Sequence, residues 1–197
     1  MLEAAMTIQP IDTTYHGYKF RSRLEARWAV FLDALALSWQ YEPEGFILTD
    51  GTRYLPDFRV KDIGWLEIKP ERATSAEQGR LSGVVSGTET PGFLLMGNIP
   101  DPEETYLEVG PDPLFDIQAF WPMGGGAVVT DWGYWFCVCP ICGKVGIEYQ
   151  ARSHRICGGR VHPELAGKDR GHNGNHLRII DALSRARGAR FEHGETP

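Results

Sequence analysis

Hydrophobic positions change period several times along the 197-residue chain, and each change marks an element. Between residues 16 and 38, Leu24, Trp28, Phe31, Leu32 and Leu35 recur at three- and four-residue intervals. This predicts an amphipathic helix with Ser22 as N-cap and Glu25 as its capping-box partner. Short apolar runs at Trp39–Tyr41 and Phe46–Leu48 predict strands, with Asp50-Gly51 as a tight turn. The stretch 54–69, YLPDFRVKDIGWLEIK, holds two strand-like runs separated by Lys61, Asp62 and Gly64, and reads as a hairpin. A Thr74 or Ser75 cap with Glu77 opens a second helix through about Val85, and the apolar run Phe93–Met96 predicts a strand buried on both faces. With the two runs of 54–69 as second and third strands after the short pieces of 39–48, the order is helix, three strands, helix, strand, which makes an α/β (α+β) chain.

Prolines, glycines and acids dominate residues 101–126, which predicts an irregular connection with a boundary inside it: a core of 1–120 and an appendage of 121–197. Beyond it, all four cysteines fall between 137 and 157, clustered as metal ligands are. In Cys139-Pro-Ile-Cys142-Gly143 the two thiols have tetrahedral spacing and the glycine lets the backbone curl beneath a metal, and soft sulfur selects Zn2+. Cys157 is the expected third ligand and His162 the fourth, with His154 and Cys137 as alternatives. A redox CxxC wants a thioredoxin-like context that this region lacks. A last helix, capped by Asn175, sets Leu177, Ile180 and Leu183 at helical intervals and Arg178, Arg185, Arg187 and Arg190 on other faces. It either docks on the core or grips a DNA backbone.

Composition narrows the setting. Hydrophobic residues make up 42% of the chain, enough for a sizeable core. No apolar stretch approaches a membrane span and the N-terminus lacks a signal-peptide pattern, so no membrane association and a cytoplasmic location are expected. The net charge of −6 argues against a nucleic-acid partner until its distribution is read. Residues 38–120 hold six Lys/Arg against fifteen Asp/Glu, and residues 150–197 nine against five. Screening confines each field to about 8–10 Å, so a basic segment can meet phosphates while the rest of the chain is acidic.

The acids of 54–69 raise the chemical question. Period-two alternation puts Trp65, Glu67 and Lys69 on one face and Leu66 and Ile68 on the other. Pro56 cannot donate to a sheet ladder, so pairing loosens there and Asp57 turns toward Glu67 and Lys69. Two carboxylates with a substrate phosphate suffice to hold a hard cation such as Mg2+ or Mn2+, and a lysine beside them stabilises charge on phosphoryl oxygens. Read blandly, the same residues are a turn aspartate and a solvated Glu/Lys pair.

Asp57 after Pro56, nine residues, then Glu67-Ile68-Lys69 resembles the PD-(D/E)XK nuclease superfamily in its PD…ExK form. FRSRLEARWA, around Glu25, resembles the first-helix motif of several of its members, including transposon-end endonucleases, where a helix glutamate joins the metal site. The resemblance implies a restriction-endonuclease-like αβββαβ core with a central mixed sheet, and a metal-dependent DNA endonuclease. Its catalytic set would be Glu25, Asp57, Glu67 and Lys69, with Asp57, Glu67 and the Ile68 carbonyl as ligands of Mg2+ or Mn2+. Arg21, Arg23, Arg27 and Arg185 are the expected DNA contacts, and a homodimer would suit double-strand cleavage. With the zinc knuckle and basic tail, the whole looks like proteins of bacteriophages and mobile elements. The competing expectation is a non-cleaving nucleic-acid-binding or structural module on the same fold.

Overall fold

The computed structural model describes residues 13–102, 115–130, 133–149 and 176–191. A hairpin of β1 (Thr13–Tyr15) and β2 (Tyr18–Phe20) leads into α1 (Arg23–Ala34). Ser22 is its N-cap and accepts from the Glu25 amide, as the capping pattern predicts. The Glu25 carboxylate, however, reaches back to the amide of Arg21 and to the Ser22 hydroxyl.

A six-stranded mixed sheet forms the centre. It contains β3 (Trp39–Tyr41), β6 (Phe58–Val60), β7 (Gly64–Lys69), β8 (Gly92–Met96), β9 (Asp116–Met123) and β10 (Gly126–Thr130), in spatial order β10-β9-β8-β7-β6-β3. Only β7 and β8 are parallel, and α2 (Ser75–Thr88) makes the crossover between them. The Thr74–Glu77 capping box closes the start of α2. A separate two-stranded piece, β4 (Phe46–Ile47) with β5 (Arg53–Tyr54), projects before β6. Pro56 thus splits the first run of the expected hairpin into β5 and β6.

The faces of β7 divide as period two demands. Leu66 and Ile68 join Phe93, Leu95 and Ile117 in the larger core under α1, whereas Trp65 joins Leu94, Phe120 and the Leu81, Val84 and Val85 face of α2. Two glycines make this packing possible. Gly64, at φ +148, lies where a Cβ would sit 2.1 Å from the Pro91 carbonyl. At Gly92 an added Cβ would come within 2.6 Å of Val85, so the bare backbone lets α2 lie close on the sheet.

The structure departs from expectation in its C-terminal half. Residues 116–130 are two sheet strands, joined at Gly124 and Gly125, both with positive φ, in a two-residue hairpin turn. The sheet therefore crosses the expected boundary at 120/121. The hairpin of β11 (Tyr134–Val138) and β12 (Val145–Tyr149) also shares the larger core, with Phe136 edge-on to Phe31 at 4.8 Å. The last helix, α3 (Leu177–Gly188), is capped by His176 where Asn175 was expected. Its buried face is Ile179, Ala182, Leu183 and Ala186, while Leu177 is 78% exposed. Two alanines on that face let α3 lie close against α1, and the Arg178 guanidinium donates to the Leu35 carbonyl at the far end of α1. No helix among the described residues is long and apolar enough to cross a membrane.

Candidate active site

The site begins where regular pairing stops. The ladder between β6 and β7 ends at Phe58 opposite Leu66, so Asp57 has no strand partner. Side chains take over: the Asp57 amide donates to Glu67 Oε2 (3.3 Å) and the Ile68 amide to Asp57 Oδ2 (2.7 Å). The Glu42 amide, just past β3, donates to the Asp57 carbonyl (2.8 Å). Asp57 is 2% exposed and Glu67 4%, and burial of two neighbouring carboxylates requires charge compensation.

Each carboxylate is turned to a cation. Arg21 Nη2 lies 2.7 Å from Asp57 Oδ1 and 2.8 Å from Glu42 Oε1. Lys69 Nζ lies 2.9 Å from Glu67 Oε1 and 3.3 Å from Glu77 Oε1. Burial, then Glu67 and Glu25, push the Asp57 carboxyl well above the ordinary range, against the opposing pull of the Ile68 amide and Arg21. Burial works against the Lys69 ammonium, but Glu67, Asp57 and Glu77 outweigh it and hold its pKa above the usual lysine value. Glu77, which accepts from the Thr74 amide and hydroxyl, is held down at about 2.

Glu25 enters from the opposite side of the sheet end. The Tyr41 hydroxyl donates to Glu25 Oε2 at 2.6 Å and accepts from the Arg21 amide at 3.2 Å, so α1, β3 and the β2–α1 junction are tied at one point. Glu25, Asp57, Glu67, Ile68 and Lys69 all line one cleft of about 580 Å3, together with Arg21, Arg53, Tyr54 and Arg80. The expected catalytic residues are therefore brought together.

The expected DNA contacts are scattered. Arg21 is in the cleft, bound to Asp57 and Glu42. Arg23 is half-buried in the first turn of α1 and outside the cleft lining. Arg27 Nε donates to the Ala189 carbonyl at 3.4 Å, and Arg185 pairs with Asp181 on the exposed side of α3. Two further arginines that the fold brings to the cleft, Arg53 and Arg80, carry no sequence signal of their own. Tyr41 and Glu42 escaped sequence reasoning for the same reason, although Glu42 has the strained φ of +44 that often accompanies functional positions.

Hard oxygen donors fit Mg2+ or Mn2+, and a buried carboxylate already repelled by two others is stabilised by a divalent ion. Among the described residues, though, no three His, Cys, Asp or Glu side chains stand as a ready metal-binding group. Arg21 and Lys69 occupy the carboxylate oxygens instead. Arg21 is 58% exposed, so its guanidinium can leave Asp57 without disturbing packing.

At the second expected metal site, Cys139 and Cys142 flank a turn in which the Gly143 amide donates to the Cys139 carbonyl (2.9 Å) and Gly143 has φ +70. Cys137 is buried in β11. Cys157, His162 and His154 lie outside the described residues. Comparisons with protein-family models, with curated proteins and with solved structures return no match to this chain.

Proposed function

We propose that the protein is a Mg2+- or Mn2+-dependent DNA endonuclease of the PD-(D/E)XK kind. The observation that carries this reading is the meeting of Asp57, Glu67 and Lys69 at the unpaired end of β6 and β7, with Glu25 in the same cleft. The order α1, β3, β6, β7, α2, β8, with β7 and β8 parallel, supports it. Asp57, Glu67 and the Ile68 carbonyl would hold the cation, which when bound acidifies water and neutralises phosphoryl oxygens. Lys69, fixed between Glu67 and Glu77, presents its ammonium where negative charge develops on the phosphate oxygens. Glu25, held by Tyr41, orients a water by accepting a hydrogen bond from it.

The test is cleavage of linear, nicked, branched and single-stranded DNA with Mg2+ or Mn2+. Cleavage by wild type, lost in Asp57→Ala and Lys69→Ala, is expected. No cut substrate, or variants as active as wild type, sinks the reading. A non-cleaving DNA-binding module is the second reading, favoured by the Arg21–Asp57 pair that takes up a ligand oxygen. It predicts DNA binding without hydrolysis.

We also infer a structural Zn2+ on Cys139, Cys142, Cys157 and His162, supported by the left-handed Gly143 turn. Elemental analysis of the purified protein should find about one zinc per chain, as a closed four-ligand site requires. Less than half that amount rejects the site.

A further inference from the structure

We propose that Arg53 and Arg80 form a phosphate-binding wall of the cleft, receiving the sugar-phosphate backbone of DNA next to the phosphate presented to Asp57 and Glu67. The identity of the ligand rests on the nuclease reading.

Four cationic side chains line the cleft: Arg21, Arg53, Lys69 and Arg80. Two are engaged by carboxylates, Arg21 by Asp57 and Glu42, and Lys69 by Glu67 and Glu77. Arg53 and Arg80 have no carboxylate partner among the described residues. They leave uncompensated positive charge beside an acidic floor, an arrangement that attracts a polyanion and draws one phosphate toward the carboxylates.

Both arginines are held on supported elements. The Arg80 guanidinium on α2 lies over the Tyr54 ring, 6.0 Å from its centroid, which orients the fork without consuming its donors. Arg53 precedes Tyr54 on β5, exposed. The β4–β5 piece that carries it is braced from below: Phe46 meets Trp65 edge-on at 5.3 Å, and Leu48 packs where a Cβ on Gly83 of α2 would stand 3.0 Å away. A guanidinium binds a phosphate through two parallel N–H donors, so two forks on different elements suit successive phosphates of one strand.

The experiment measures anisotropy of two labelled duplexes of unrelated sequence in EDTA, over a salt series. It compares wild type, Arg53→Ala, Arg80→Ala, the double variant, Arg80→Lys and the charge-matched Lys61→Ala/Lys144→Ala. The last two lysines line a different cleft, at the Gly64 end of β7. Circular dichroism melts confirm that each variant is folded. Each arginine removed should lower the slope of log K against log salt by about one, the double variant by about two, equally for both sequences. Arg80→Lys should keep the slope. A double variant with the wild-type slope, or an equal loss in the lysine control, overturns the wall. So does calorimetry in which inorganic phosphate binding depends on the two arginines while DNA affinity does not. If DNA binds through these arginines but is never cut, the nuclease reading fails and the wall stands. If DNA is cut and the double variant binds as wild type does, the wall alone fails.

Discussion

Arg21 Nη2 lies 2.7 Å from Asp57 Oδ1, so its guanidinium engages the carboxylate oxygen that the proposed divalent ion would need. On the proposed metal site a cation would have to displace it, at the cost of breaking that pair. Arg21→Ala should therefore bind Mn2+ more tightly than wild type at pH 8 in calorimetry. Unchanged or weaker binding would show that the guanidinium and the metal do not compete.

The Asp57 carboxyl sets a pH profile. Burial, Glu67 and Glu25 raise its folded pKa above its unfolded value. The sign follows from linkage: the folded state holds the extra proton, so this contribution to stability is complete below the ordinary carboxylate pKa and is lost as pH rises through the raised one. In EDTA the melting temperature should fall across that interval. Asp57→Asn should flatten the fall, because it keeps a neutral group at all pH values, and on the nuclease reading it should also abolish cleavage. A profile identical to wild type would place the titration on another group.

Tyr41 links Glu25 to the Arg21 amide. Tyr41→Phe keeps the ring in its edge-on and tilted contacts with Phe20, Phe58 and Tyr18 and removes only the hydroxyl. A hydrogen bond to a charged group contributes about 1.5–3 kcal/mol, so urea unfolding should show a loss in that range. On the nuclease reading cleavage should drop as well, because Glu25 loses its anchor. An unaltered midpoint would mean that water replaces the hydroxyl.

On α3, Leu183 is fully buried against the core while Arg185 is exposed and paired with Asp181. Leu183→Ala should cost about 2–5 kcal/mol, as burial of a large side chain dictates. Arg185→Ala should leave both stability and DNA affinity near wild type. If Arg185→Ala instead weakened DNA binding with stability intact, the helix would be a DNA contact as well as a core element.

Much of the fold is legible in local pattern. The Ser22 and Thr74 caps, the Lys61–Gly64 turn and the two-faced alternation of β7 are set by residues a few positions apart, and those interactions form wherever the rest of the chain goes. The strands at 116–130 were obscured by the surrounding prolines and glycines, because two of those glycines are the turn itself. The apolar stripe expected on α3, Leu177, Ile180 and Leu183, differs from the buried face for a related reason: Ile179 and Ile180 both stand at helical spacing from Leu183, and only docking on α1 selects Ile179 and leaves Leu177 exposed.

The site divides in the same way. Asp57, Glu67 and Lys69 lie within one hairpin, so alternation and the proline that interrupts pairing were enough to predict their meeting. What local pattern could not determine is which groups from outside the hairpin the carboxylates meet. Arg21 on Asp57, Tyr41 on Glu25, and Arg53 with Arg80 at the rim come from elements brought together by packing of α1 and α2 on opposite faces of the sheet. Charge acts through space, and its distances are decided by tertiary packing.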